Sequence, residues 1–209
     1  PEVIKTKVGF LRDRFEVTGR DIGKMIVRSV DSLFFVQTDK LEERIAVLQR
    51  LGLDNRDVSR LMTKSASLFS MTAETLEVKI ETLRSMLARF EESGLLADPT
   101  ALLLKLIRTR PQVLTRSGEK LEETLEVLRS NGFADKDVVQ VLLKNPNILG
   151  YNPKSLEQKL LFLREYGLDR DEVKDFFVAS PKLFDLSVVT NLRPTFSFFL
   201  ETGWEVAVL

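Results

Sequence analysis

One pattern recurs along this chain at intervals of about 35 residues, and it dictates stacked pairs of helices. In the stretch opening at Leu121, apolar residues stand at helical spacing (Leu121, Leu125, Leu128). Asn131-Gly132-Phe133 follows, then Asp137-Val138, a second apolar stretch (Val141, Leu142) and Asn145-Pro146-Asn147-Ile148-Leu149. The next stretch repeats the order: Leu156, Leu160, Leu163, then Gly167-Leu168, Glu172-Val173, Phe176-Phe177 and Ser180-Pro181-Lys182-Leu183-Phe184. Openers in equivalent positions are Ile4, Leu41, Leu76, Leu121, Leu156 and Leu192, at spacings of 37, 35, 45, 35 and 36. A single unit of this length cannot bury its own apolar face. A stack of such units can, so the period predicts an all-α helical-repeat solenoid.

Each phase of the repeat has a local reason. Glycine stands eleven residues after the opener at Gly52, Gly132, Gly167 and Gly203, as expected of a left-handed stop after a first helix. An acid (Asp57, Asp137, Glu172) falls in the first turn of the second helix, where the helix dipole favours it. Asp54…Asp57 and Asp169…Glu172 have the spacing of capping boxes. Pro146 and Pro181 then end the second helix. In the first two units Val30 and Ala66 occupy the proline slot, while the apolar pairs Leu33-Phe34 and Leu68-Phe69 persist. The unit opening at Leu76 is ten residues longer. Its glycine comes late at Gly94, its first helix is extended by two to three turns, and Asp98-Pro99 starts its second helix.

The 209 residues, 44% hydrophobic, suffice for a sizeable core. The absence of Cys and His removes thiolate chemistry, disulfides, His-based zinc sites and imidazole catalysis. Ser117-Gly118-Glu119-Lys120 matches S-x-x-K but lacks its catalytic companion motifs and reads as a helix start. No Gly-rich phosphate loop and no apolar run of membrane-spanning length occurs. The chain therefore reads as non-enzymatic, with no catalytic residue, metal, cofactor or membrane partner. It opens without Met and stops in mid-repeat. This predicts a fragment: residues 1–209 as one repeat domain of about five units and the start of a sixth.

Tetratricopeptide repeats share the length but need a signature absent here. The pattern L-x-x-x-L-x-x-L…G-[LF]…[DE]-V…[NS]-P-x-[IL]-[LF] resembles the mitochondrial transcription termination factor (mTERF) family. Lys144 to Leu149, Ala179 to Phe184, Thr109-Arg110-Pro111-Gln112-Val113-Leu114 and the turn glycines carry the resemblance. It covers essentially the whole chain, although the first two units lack the proline. It implies a superhelix of units with two α-helices and a short 3₁₀ turn. It also implies a nuclear-encoded protein of mitochondria or chloroplasts that binds organellar DNA, in some members RNA, in transcription termination or regulation.

Stacked repeats align equal phases in columns. Six residues before the proline slot stand Lys24, Arg60, Lys105, Gln140 and Asp175. Two before it stand Arg28, Lys64, Thr109, Lys144 and Ala179, with Arg108 and Arg110 flanking Thr109. Positions four apart share a helix face, so Lys24, Arg28, Arg60, Lys64, Lys105, Arg108, Arg110 and Lys144 form a candidate phosphate-binding stripe. Helix-end electrostatics alone would account for Arg28, Lys64, Arg108 and Lys144, and accounts less well for Lys24, Arg60 and Lys105 a turn earlier. The charge split agrees with the stripe: residues 1–110 hold 19 basic and 16 acidic side chains, and residues 111–209 hold 12 and 15. Glu42, Glu43, Glu77, Glu122, Glu123 and Glu157 read as acids serving helix starts. Phe176, Phe177, Phe198, Phe199 and Trp204 are core by spacing, or base-stacking by chemistry.

The stripe points to double-stranded DNA as partner, with RNA as the alternative, bound along the superhelix to block or position the organellar polymerase. The net-zero charge (31 basic, 31 acidic) and an apolar C-terminal end (Phe196, Phe198, Phe199, Trp204) suit a rival reading. That rival is a protein scaffold of the same fold, acting in organellar RNA processing or ribosome biogenesis, with a protein partner at that end.

Overall fold

The computed structural model describes residues 2–15 and 17–203; the side chains at 3 and 28–32 lie outside that description. Among the described residues there are eleven α-helices, four 3₁₀ turns, one π turn and no strand. No helix among them is long and apolar enough to cross a membrane. Two compact units divide the chain. Unit 1 is Pro1–Ala88 with Pro99–Ser117, and unit 2 is Arg89–Asp98 with Gly118–Leu209.

Unit 1 contains α1 (Glu2–Phe15), α2 (Gly19–Leu33), α3 (Thr38–Arg50), α4 (Asn55–Lys64), most of α5 (Ala73–Glu92) and α6 (Pro99–Thr109), with 3₁₀ turns Ala66–Ser70 and Pro111–Thr115. The α3–α4 pair shows how the repeat folds. Leu41, Ile45 and Leu48 bury one face of α3. Gly52, at φ +105°, reverses the chain in a conformation that costs an L side chain about 1–2 kcal/mol. Asp54 then caps α4 by accepting from the Asp57 N–H at 2.7 Å, an interaction of about 1 kcal/mol. Val58, Leu61 and Met62 bury the inner face of α4, and the 3₁₀ turn delivers Leu68 and Phe69 to the core, each 1% exposed. This turn forms with Ala66 in the proline slot, so the proline is not required for it. The first repeat differs from the sequence expectation. α2 runs through Val30 to Leu33 with no 3₁₀ turn, and Leu33 and Phe34 are fully buried at the helix end. As expected, α5 is long: 20 residues against 13 in α3, about two extra turns.

Unit 2 contains α7 (Gly118–Ser130), α8 (Asp135–Lys144), α9 (Pro153–Arg164), α10 (Arg170–Ala179) and α11 (Arg193–Glu201), with 3₁₀ turns Pro146–Gly150 and Pro181–Asp185. Asp169 and Glu172 form the full reciprocal capping box, with bonds of 2.9 and 2.8 Å. A π turn, Val188–Leu192, leads into α11, closed by Leu192 N–H donating to Ser187 O at 3.0 Å. Phe177 stacks on Phe184 with ring centroids 3.9 Å apart, and both are fully buried. Phe196 packs edge-on against Phe162 at 5.6 Å and is 4% exposed. It therefore belongs to the core, not to an open apolar end. Phe176 and Phe199 are half-buried, and Phe198 is 60% exposed. Trp204 lies outside the described residues.

Three repeats carry an internal cationic donor at one phase, three residues after the opener. Arg44 reaches Phe69 O at 2.6 Å, Lys79 reaches Arg116 O at 2.8 Å and Lys159 reaches Phe184 O at 2.5 Å, each in the closing segment of its own repeat. Thr124 stands at the same phase, but its hydroxyl donates to Lys120 O at 2.9 Å. Lys7, 3% exposed, donates to Thr38 Oγ1 at 2.9 Å. Arg44, Lys79 and Lys159 thus satisfy carbonyls of the closing segments, where an unmet buried acceptor would cost about 1–3 kcal/mol.

Candidate nucleic-acid interface

The first helices neutralise their own charge. Arg14 pairs with Glu42 at 2.6 Å, and Arg50 with Glu77, joining consecutive first helices of unit 1. In unit 2, Arg89 pairs with Glu122 and Arg193 with Glu165. Glu43 and Glu123 take Lys40 and Lys120 of their own helices. Thus Glu42, Glu77 and Glu122 answer arginines of the preceding repeat, and the helix-start dipole is not their only partner.

The second helices behave differently. The expected stripe residues Lys24, Arg60, Lys64, Lys105, Arg108 and Lys144 are all exposed, and Arg110 is half-buried. The Arg28 side chain lies outside the described residues. Unit 1 holds all of these positions except Lys144, which unit 2 holds. Arg108 and Lys144 hold neighbouring helices. Arg108 donates through Nε to Asp57 Oδ2 at 2.8 Å, and the Asp57 side chain is 8% exposed. Asp57 therefore locks α6 to α4. It does not reach back to the cap, so the Asp54…Asp57 pair is a single N-cap and the expected reciprocal box is absent. Lys144 donates to Val178 O and Ala179 O at 2.9 and 3.4 Å, closing the C-terminus of α10. Lys24 sits 3.7 Å from Asp21, one turn back on α2. Arg60 and Lys64 have neither an ion pair nor a side-chain hydrogen bond among the described residues.

The structure adds a third position to each face. One turn before Lys24, Arg60, Lys105, Gln140 and Asp175 stand Arg20, Arg56, Ala101, Lys136 and Asp171, all exposed. Each second helix therefore presents a row at i, i+4 and i+8, spanning about 12 Å. The rows read Arg20/Lys24/Arg28 on α2, Arg56/Arg60/Lys64 on α4, Ala101/Lys105/Thr109 on α6, Lys136/Gln140/Lys144 on α8 and Asp171/Asp175/Ala179 on α10. The α4 row is cationic throughout, and the helix's one acid, Asp57, is turned inward onto Arg108. The α10 row is its inverse. Asp171 and Asp175 are 80% and 75% exposed at the side chain, and both contact Lys174. The Lys174 ammonium holds the Asp171 carboxyl below its ordinary range, chiefly by hydrogen bonding. Arg20, Arg56 and Lys136 were legible in the sequence at ten residues before the proline slot, but only the exposed rows single out that phase. Among the described residues no cluster of acids could hold a metal ion.

Paired helices closed by a 3₁₀ turn, repeated at a near-constant interval, define a helical-repeat protein whose second helices carry its variable surface charge. The chain belongs to the mTERF family, whose model matches residues 1–209. It is similar to human mitochondrial transcription termination factor 2, at 26% identity over 168 residues, 79% of this chain and 43% of that protein. Similarity extends to the mitochondrial transcription termination factor MTERF15 of Arabidopsis thaliana, 31% identical over 86 residues, 41% of this chain and 19% of that one. The chloroplastic factor MTERF8 of the same plant is 23% identical over 176 residues, 84% of this chain and 33% of its own length. The chain spans less than half the length of the curated relatives it matches.

Proposed function

We propose that this chain is an organellar nucleic-acid-binding factor of gene expression, mitochondrial or chloroplastic, that grips duplex DNA through the second-helix rows of unit 1. The α4 row carries the reading: three exposed cations on one face, Arg60 and Lys64 without partners among the described residues, and the helix's one acid turned inward onto Arg108. Lys24, Arg28, Lys105 and Arg110 continue the contact, with Arg20 added, while Arg108 and Lys144 serve mainly to hold helices. Backbone phosphates are the target such rows suit, because long cationic side chains at helical spacing neutralise charge without reading bases. Occupancy of the duplex would then block or position the organellar polymerase. The rival reading, a protein scaffold, draws on the exposed Val189 and Phe198 of unit 2, 75% and 60% exposed.

A salt series on random-sequence duplex DNA tests the proposal. The six row cations of unit 1 whose side chains are described (Arg20, Lys24, Arg56, Arg60, Lys64, Lys105), neutralising one phosphate each, give a log–log slope of about −5. A fourfold rise in salt then weakens binding by roughly 10³-fold. Replacing Arg56, Arg60 and Lys64 together by Gln removes about half of that slope, leaving about a 40-fold loss over the same range. A slope that the triple variant does not change would defeat the proposal, and absence of binding at low salt would favour the scaffold.

A further inference from the structure

A recess of about 370 Å³ lies between the end of α1 and the start of α4, lined by Arg14, Phe15, Asn55, Arg56 and Ser59. Two of its donors are uncommitted: the half-buried Ser59 hydroxyl and the exposed Arg56 guanidinium make no hydrogen bond or ion pair among the described residues. Asn55 Oδ1 is fixed by Gln49 Nε2 at 2.8 Å, while its Nδ2 makes only a weak bond to Arg14 O at 3.4 Å. Arg14 is pre-positioned: it pairs with Glu42 and lies 5.8 and 5.7 Å from the ring centroids of Phe10 and Phe15. The backbone N–H groups of the α4 start are not the source of attraction, because Asp54 already caps that end. Two guanidinium groups, a hydroxyl and an amide N–H therefore converge on one small polar hollow, with Glu42 paired to Arg14.

We infer that this recess is a phosphate subsite, holding one phosphodiester of the nucleic acid whose neighbouring phosphates lie along the α4 row. The diester assignment rests on the nucleic-acid reading above; the affinity for a phosphate group does not. Arg56 belongs to both the recess and the row, so a phosphate seated here leads on to Arg60, about 6 Å further along the helix. Ser59 and Asn55 donate to the non-bridging oxygens, and Arg14 supplies the fixed charge at the back.

The test uses the full chain and two arms. In the first, inorganic phosphate is compared with chloride at matched ionic strength, reading the thermal midpoint. In the second, duplex DNA affinity is measured across a salt series. Ser59→Glu places a carboxylate in the hollow, within reach of Arg56 one turn back. Arg56→Gln removes a guanidinium that supports no other contact, so it keeps the fold intact should Ser59→Glu not. Phosphate is expected to raise the midpoint of the unaltered protein and of neither variant. Ser59→Glu is expected to weaken duplex binding about tenfold, the scale of one lost charge-assisted contact, and to shorten the salt slope by about 0.9. No phosphate-dependent rise in the unaltered protein overturns the subsite, whatever the DNA result. A rise that Ser59→Glu abolishes, with duplex affinity and slope unchanged, overturns the diester assignment and leaves a free-phosphate site. A phosphate-dependent rise in a protein that binds no duplex at all refutes the proposed function and upholds the recess.

Discussion

Asn145 is the polar joint between the last two 3₁₀ turns of unit 2, and replacing it by Ala tests that role. The residue is 3% exposed. Its Nδ2 donates to Pro181 O at 3.0 Å and to Asp185 Oδ1 at 3.1 Å, and its Oδ1 accepts from the Asn147 N–H at 3.2 Å. Tyr151 also donates to Asp185, and the Lys159 ammonium lies 4.9 Å from the Tyr151 ring centroid. Truncation therefore leaves a buried carbonyl without its donor, about 1–3 kcal/mol, and removes a bond to a carboxylate, about 1.5 kcal/mol more. The expected loss is about 3 kcal/mol. For a chain of this length that corresponds to a fall of about 6–12 °C in thermal midpoint. Ser180 provides the control. It stands in the equivalent place 35 residues later, is exposed, and its side chain makes no capping bond. Ser180→Ala should stay within about 0.5 kcal/mol. Urea titration reads both variants on one scale. If Asn145→Ala costs no more than Ser180→Ala, the joint between these turns is held by packing alone and the reasoning is wrong.

Three further outcomes follow from the geometry. Gly132→Ala should destabilise more than Gly167→Ala: both glycines have φ near +90°, but an added Cβ at 132 would stand 3.0 Å from Arg170 Nε, whereas 167 is open. Thermal midpoints compare the two, with about 1–2 kcal/mol for the backbone term shared by both. Asp171→Arg with Asp175→Arg converts the α10 row to the α4 pattern; duplex binding should strengthen and its salt slope steepen by up to about 1.8, and an unchanged slope would show that unit 2 stays clear of the DNA. Burial holds the Lys7 amine below its ordinary value of 10.5, against the raising influence of Asp39 and Glu42. The unfolded chain then binds the proton more tightly, so stability rises with pH between the lowered folded value and 10.5. Lys7→Met should abolish that rise in denaturation curves taken across the alkaline range.

The repeat, its helix pairs, its glycine turns and the long α5 were all legible in residue order, because each follows from local chemistry at a fixed phase. A glycine at +11 meets a positive φ, a proline ends a helix, and apolar residues at three and four must share a face. Charge was legible only as a list of candidates. Nothing in the residue order marks Arg44 and Lys159 as buried donors to Phe69 O and Phe184 O. Arg108 and Asp57 are 51 residues apart, and nothing local announces that they pair. Phe196 reads as an exposed aromatic and closes a ring cluster with Phe162, Tyr166 and Phe176. Periodicity assigns a residue to a helix face, but whether that face meets solvent, a carbonyl or a carboxylate depends on what the neighbouring repeat brings against it. The sequence alone therefore determined the architecture and the family, whereas only the tertiary structure decided which cations are spent on neighbouring helices and which stay exposed, because that depends on contacts between residues far apart in the chain.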